Sequence, residues 1–262
     1  MQILQAILST CFVCGTLASA QGSPPTTKTH DHFSYSGDYG PGFWAEINKG
    51  WEACGNGEQS PVDIPGNAVV DPTLTLTLQL KQTSVVMFND GHTIKVDYTK
   101  GTPGLGGTIT FNHVDYDIQQ FHFHTLSEHT LQGNRGVMEL HAVFKDRSTP
   151  PNFLAIAMLY EIGNADPFLS TLISAGLPEK SHSKHVPIPA LDLADAFTET
   201  SSYYTYAGSL TIPSCFPVTF IVLKTEATMS EGQFLAFQGI MGDNFRPIQA
   251  LNGREVRVTP SD

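Results

Sequence analysis

Three histidines are spaced so that they could share one metal ion. In the segment QFHFH, the strand period of two places Gln120, His122 and His124 on one face. A second strand-like segment carries Glu139 and His141, which share a face by the same alternation. Three neutral imidazoles leave a fourth tetrahedral position for water, which is the arrangement of a catalytic zinc site rather than a structural one. The spacing alone leaves a second interpretation open, that of buried histidines in two ordinary strands.

The elements that must position these residues are mostly strands. Short segments of alternating or β-branched residues are separated by turn residues, and helix signals are weaker. The predicted strands are LTLTLQLKQ (74–82), HTIKVDY (92–98), VDYDIQQFHFH (114–124), VMELHAVF (137–144), FLAIAMLYEI (153–162) and VTFIVLK (218–224), and the predicted helices span 167–175 and 230–241. We therefore expect a mainly β single domain with short peripheral helices.

Composition limits the partners. The formal net charge is −11 at pH 7, which disfavours nucleic acid and anionic membranes because both would repel the protein. The balance favours small-molecule ligands, and we expect no nucleic-acid partner and no membrane anchor. The oligomeric state stays open, with a homodimer as one possibility.

The N-terminal segment predicts export. Residues 1–20 are uncharged, apolar through the middle, and end on the cleavage pattern Ala-Ser-Ala, so we interpret them as a signal peptide of a secreted protein. Residues 21–31 form a flexible N-terminal segment, and 32–262 form the domain. Cleavage would leave Cys54 and Cys215 as a pair in an oxidising compartment, which predicts a disulfide, with two buried thiols as the alternative.

Several ordered sequence blocks resemble one known family. These blocks are QSPVDI (59–64), QFHFH (120–124), SEH (127–129), ELH (139–141), GSLT (208–211), VTFIVL (218–223) and NFRP (244–247). Together they are similar to the signature blocks of alpha-class carbonic anhydrases and span most of the chain. Thr125 and Leu126 follow the histidine pair where animal members have Trp-Gly, so the chain is closer to the bacterial, plant and fungal branch. The resemblance implies a central, twisted, mostly antiparallel sheet of about ten strands.

The resemblance also implies a role for individual residues near the metal. It assigns His122, His124 and His141 as the ligands of Zn²⁺. The residues that hold these ligands in place are Gln120, Glu139 and Asn244. It further assigns the Thr211 hydroxyl as a hydrogen-bond acceptor beside the metal and as a hydrogen-bond donor to the Glu128 carboxylate.

Further residues are assigned by the resemblance to proton transfer. His92 matches the proton shuttle of the family, and an imidazole suits that task because its pKa lies near neutrality. Tyr35 matches a tyrosine that orders water toward the shuttle. Lys95 stands where the family has a neutral side chain, and its charge is expected to lower the pKa of His92.

An apolar niche for carbon dioxide is the last part implied by the resemblance. The pocket residues matched to it are Val143, Ile156, Leu210, Phe220 and Ile212. Ile156 and Phe220 differ from the commonest Val and Trp, and Ile212 stands where Thr usually contacts bicarbonate. These three positions predict a niche whose shape differs from the one common in the family.

The function implied by the family is zinc-dependent, reversible hydration of carbon dioxide to bicarbonate and a proton. It proceeds through a zinc-bound hydroxide with a histidine proton shuttle, and anions or sulfonamide-type compounds are the expected inhibitors. Two alternatives stay open. One is a non-catalytic binding protein of the same fold, and the other is a cupin-type metal protein in which Glu128 binds the metal. The cupin motif has glycine at the two positions that Tyr116 and Arg135 occupy here, which argues against this second alternative.

Overall fold

The computed structural model describes residues 31–99, 104–180, 185–197 and 199–260. The predicted signal peptide, and the N-terminal segment predicted to be flexible apart from Asp31, lie outside the described residues. The strands are Asp63–Ile64 (β1), Val69–Val70 (β2), Leu76–Leu80 (β3), Thr83–Asn89 (β4), Ile94–Asp97 (β5), Gly107–Phe111 (β6), Val114–His124 (β7), Thr130–Leu131 (β8), Asn134–Arg135 (β9), Met138–Asp146 (β10), Phe153–Ile162 (β11), His185–Leu191 (β12), Tyr203–Ser209 (β13), Pro217–Leu223 (β14), Ala227–Met229 (β15) and Arg257–Val258 (β16). The α-helices are Trp44–Ile47 (α1), Pro167–Ala175 (α2) and Glu231–Met241 (α3), and 3-10 helices span Gly37–Tyr39, Lys49–Gly55 and Leu193–Ala196.

A 13-stranded mixed sheet forms the body of the protein. Its main path runs β12-β4-β5-β7-β10-β11-β14-β13-β16-β2, and β3, β6 and β15 attach beside it. Most neighbouring strands are antiparallel, whereas β14 and β15 both run parallel to β11. A separate three-stranded sheet joins β1, β8 and β9. The prediction of a mainly β, mostly antiparallel fold is confirmed.

Strands β7 and β10 lie at the centre of the main sheet and set its two faces. Their antiparallel register pairs His141 with His122 and Glu139 with His124. Phe121 alternates to the other face, where it belongs to the larger apolar core. The histidines and the main hydrophobic core therefore lie on opposite faces of the same strands. Packing of the core fixes the backbone of these strands.

Helices α2 and α3 begin within one residue of the predicted positions, because their N-terminal caps are encoded locally. The Asp166 side chain accepts a hydrogen bond from Leu169 N at the start of α2, with Pro167 in the first turn. Ser230 and Gln233 form a capping box at the start of α3. Gln233 also donates to the carbonyl of Asp166 at 2.7 Å, which ties the two helix starts together.

The six predicted strands are present, with bounds shifted by a few residues. The strands that the sequence pattern did not indicate include β4, β6, β12 and β13. Strand β12 carries Pro187 and Pro189, which cannot donate to a neighbouring strand and are tolerated because β12 is an outer strand of the sheet. Among the helices in the described ranges, none is long and apolar enough to cross a membrane.

Candidate metal centre

The three predicted ligands come together as the sequence pattern indicates. Ring nitrogens of His122, His124 and His141 all lie within 4.8 Å of one another, and all three side chains are buried. Strand β7 presents the first two from one face, and its register with β10 places His141 directly opposite His122. This geometry is that of three donors around one small cation.

Each imidazole is held through the nitrogen that points away from the centre. His122 Nδ1 lies 2.8 Å from Gln120 Oε1, His124 Nδ1 lies 2.8 Å from the Asn244 carbonyl oxygen, and His141 Nε2 lies 2.6 Å from Glu139 Oε1. All three partners are acceptors, so these nitrogens carry the protons. The lone pairs of His122 Nε2, His124 Nε2 and His141 Nδ1 are therefore left for a metal. The assigned roles of Gln120, Glu139 and Asn244 agree with these contacts, although Asn244 acts through its backbone.

The donor set fits a zinc ion. His124 Nε2 is fully buried and has no hydrogen-bond partner in the described part of the chain, a state that a metal bond would resolve. Burial and the neighbouring His141 lower the pKa of His124 to about 3. Burial, the two other imidazoles and the nearby charge of Lys95 hold the pKa of His122 well below its usual range. Both rings are thus neutral, as metal ligation requires.

Glu139 is buried and ionised among donors. Burial would raise its pKa, but interactions with His129 and His141 hold the pKa well below the usual range. Burial likewise opposes the protonated form of His141, yet the Glu139 and Glu128 carboxylates raise the pKa of His141 overall. The carboxylate and the imidazole form a strong pair that fixes the ring of His141 beside the metal position.

Glu128 lies at the centre as predicted, and it is also fully buried. Burial raises its pKa to about 7, against the lowering effects of His141, Thr211 and the Arg246 backbone. Glu128 Oε1 accepts from Arg246 N at 2.7 Å. Glu128 Oε2 lies 3.4 Å from His124 Nε2, and the nearby Thr211 hydroxyl lowers its pKa without forming a well-aligned hydrogen bond to it.

The predicted proton-transfer residues His92 and Tyr35 line one pocket together with Asn244, whose carbonyl oxygen holds His124. The His92 ring stacks on Phe33 with centroids 3.9 Å apart, and His32 lies 5.8 Å away. Tyr35 is half-buried, and burial together with the charges of Glu128 and Asp90 raises the pKa of its hydroxyl well above the usual range. Lys95 lies opposite His122 in the β5–β7 register, and its effect on the pKa of His92 stays a prediction.

One pocket assignment is wrong. Ile156 belongs to the main core on the face away from the histidines, because it pairs with Ala142 rather than with Val143. Ala155 pairs with both Val143 and Phe220, and these three share one apolar cluster on the histidine-bearing face. The niche wall at this position is therefore a methyl group rather than a branched side chain.

The other pocket residues divide between two clusters. Leu210 is half-buried against the cluster of Val143 and Phe220, as expected of a niche residue. Ile212 instead packs against the cluster formed around the Cys54–Cys215 disulfide. The disulfide prediction is confirmed, and it anchors the segment that carries Thr211.

Sequence reasoning did not assign a role to His129, Tyr206 or Arg246, which the structure places around the centre. Arg246 is buried and donates to the carbonyl oxygens of Ser60 and Cys54 at 2.9 and 3.0 Å. His129 and Arg246 stand inside the SEH and NFRP blocks, so those blocks held the signal. Tyr206 stands outside every block and was not detectable.

Comparison with known proteins agrees with this site. The model of the eukaryotic-type carbonic anhydrase family matches residues 39–260. Carbonic anhydrase Nec1 of Nesocodon mauritianus is 35% identical over 231 residues, which is 84% of this chain and 82% of the relative. The chain therefore belongs to the eukaryotic-type, or alpha, carbonic anhydrase family, and the cupin-type interpretation is wrong.

Solved structures show the same fold. A hyperthermostable carbonic anhydrase from an active hydrothermal vent chimney matches with a TM-score of 0.80 at 31% identity, covering 87% of this chain and 100% of that one. A dioscorin complexed with ascorbate matches with a TM-score of 0.79 at 31% identity, covering 87% of this chain and 98% of that one. The fold is thus shared by proteins with different names, and the function must be argued from the site.

Proposed function

We propose that this protein is a zinc enzyme that hydrates carbon dioxide reversibly to bicarbonate and a proton. The observation that carries the proposal is the convergence of three imidazole nitrogens whose opposite nitrogens are each occupied by an acceptor. A zinc ion held by His122, His124 and His141 would supply a Lewis acid that makes a water molecule acidic near neutral pH.

The residues around the metal position orient the reactants. Gln120, the Asn244 carbonyl and Glu139 fix the three rings, so the three remaining ring nitrogens would hold the metal at one defined position. Thr211, with Glu128 behind it, presents a hydroxyl oxygen as an acceptor beside that position. Carbon dioxide has no strong dipole, and the apolar surface of Val143, Ala155, Leu210 and Phe220 provides a matching niche.

The reaction releases one proton that must leave the buried centre. His92 is partly exposed, and one of its ring nitrogens takes this proton and delivers it to buffer. The stacking of His92 on Phe33 holds the imidazole in this place. Tyr35, which lines the same pocket as His92, orders the water along the way.

A non-catalytic binding protein is the second candidate, favoured by the likeness to a dioscorin solved with ascorbate. The complete set of His122, His124, His141, Glu128 and Thr211 supports the enzyme instead. Export to an oxidising compartment and inhibition by sulfonamide-type compounds belong to the same proposal. The disulfide supports the first of these, because such bonds persist outside the reducing cytosol.

Stopped-flow hydration of carbon dioxide tests the proposal. We expect activity in the zinc-loaded protein, loss on chelation, and recovery on adding zinc. His141→Ala should release the metal, whereas His113→Ala, in an exposed turn, should retain one zinc per chain. A zinc-loaded protein that does not accelerate hydration would overturn the proposal, and ascorbate binding by that protein would favour the second candidate.

A further inference from the structure

A buried chain of hydrogen bonds leads away from one metal ligand and is not used by the reaction. His129 Nδ1 lies 2.6 Å from Glu139 Oε1, the same oxygen that holds His141. His129 Nε2 lies 2.6 Å from the Tyr206 hydroxyl, which lies 2.8 Å from Ser60 Oγ. Exposed fractions along the chain are 3% or less.

The donors in this chain can be assigned from the acceptors. Glu139 Oε2 already accepts from the backbone N–H groups of Glu128 and His129, at 2.6 and 2.8 Å, so the carboxylate acts throughout as an acceptor. His129 Nδ1 must then carry a proton, and the tautomer with its single proton there offers a lone pair at Nε2. The Tyr206 hydroxyl donates to that lone pair and accepts from Ser60. Removing the Tyr206 hydroxyl would leave a buried nitrogen unsatisfied.

The far end of the chain reaches the segment that carries Thr211. Ser60 Oγ accepts from Ser209 N at 3.1 Å, and Ser60 N donates to Ser209 Oγ at 3.1 Å. Gly208 permits this approach, since a Cβ there would collide with Ser60 Oγ and with the Tyr206 ring. The QSPVDI block has no part in the proposed reaction, and it is hydrogen-bonded to the GSLT block through Ser60.

We propose that Tyr206 is a positioning residue for the metal centre. Its hydroxyl fixes His129, and through Glu139 it fixes the ligand His141 relative to the Ser209–Thr211 segment. This inference rests on the proposed zinc site but not on carbon dioxide hydration. Tyr206 also stacks on Phe220 with an interplanar angle of 9°, a contact that a phenylalanine would keep.

Tyr206→Phe therefore removes the hydroxyl and little else. The matched control is Tyr203→Phe, because Tyr203 lies on the same strand, is equally buried, and has a hydroxyl with no hydrogen-bond partner among the described residues. Zinc release into excess chelator is the first readout. Mutating a group that is hydrogen-bonded to a metal ligand lowers metal affinity by about 10- to 100-fold. Tyr206 is more remote, because it acts through His129 and Glu139, so we expect zinc release in Tyr206→Phe to be about threefold to tenfold faster. Tyr203→Phe should release zinc at the wild-type rate.

Histidine nitrogen NMR of the zinc-free proteins is the second readout. We expect His129 to be protonated at Nδ1 only, with resonances of both His129 and His141 shifted in Tyr206→Phe and neither shifted in Tyr203→Phe. In a double-mutant cycle, adding Tyr206→Phe to His129→Gln should have no further effect on zinc release. Equal zinc release by the two tyrosine variants, or an unshifted His141 resonance, would overturn the inference. Failure of the wild type to take up zinc would overturn the proposed function instead. The NMR comparison would still show whether the Tyr206 hydroxyl positions His129 and His141.

Discussion

Removal of the Cys54–Cys215 disulfide should lower the stability of the fold and the hydration rate but leave the zinc content unchanged. The bond links residues 161 positions apart and lies in a buried cluster with Phe33, Trp44 and Ile47. Cys215 also closes the loop after Thr211, since Cys215 N donates to the Ile212 carbonyl at 2.9 Å. The zinc ligands, by contrast, lie on β7 and β10, outside this loop. Cys54→Ala/Cys215→Ala therefore perturbs one part of the site.

The magnitude follows from the loop that the bond closes. With this separation, the chain-entropy model gives a loss of about 5 kcal/mol in the free energy of unfolding, as an upper value. A shift of about 1 Å in the Thr211 hydroxyl would lower the hydration rate by up to about 100-fold. Urea unfolding measures the first quantity, stopped-flow hydration the second, and metal analysis the zinc content. We expect zinc to stay at one per chain.

Two results would refute this reasoning. A loss below about 1 kcal/mol would mean that the bond does not restrict the unfolded chain as the model requires. Loss of zinc in parallel with activity would mean that the disulfide supports the ligands themselves. Dithiothreitol treatment of the wild-type protein provides a matched comparison, because it breaks the same bond without changing a side chain.

Three further predictions concern single residues. His92→Ala should slow hydration in weak buffer and be rescued by imidazole, whereas an unchanged rate would remove His92 from proton transfer. Ala155→Ile should fill the niche and lower the hydration rate with zinc retained; Ile156→Val, on the opposite face, should cost about 1 kcal/mol of stability and leave the rate unchanged. Burial and Glu161 raise the pKa of Glu226 from 4.5 to about 7, so its contribution to stability is complete below pH 4.5 and is lost as pH rises through about 7. Glu226→Gln should flatten that fall in melting temperature, and an unaltered pH profile would contradict the assignment.

The sequence predicted the parts of the site that depend on local periodicity. Alternation in QFHFH and ELH placed His122, His124 and His141 on common faces, and β7 and β10 have those faces. Alternation also places Ala155 and Ile156 on opposite faces of their strand, but it does not indicate which face lies toward the histidines. That choice depends on the register between β10 and β11, which pairs Val143 with Ala155. Register is a tertiary property, and a shift of one residue reverses every side chain.

The sequence by itself determined the family, the histidine triad and the two capped helices, because each is encoded in short blocks or in neighbouring residues. It also determined the disulfide partners, because Cys54 and Cys215 are the two cysteines that remain after the predicted cleavage. Only the tertiary structure decided how those blocks support one another. His129 and Tyr206 are 77 residues apart, and His124 and the Asn244 carbonyl are 120 apart, yet each pair is hydrogen-bonded. A backbone carbonyl and an isolated tyrosine carry no pattern in the chain. Their roles arise because burial leaves each polar group only the partner that the folded sheet brings within reach.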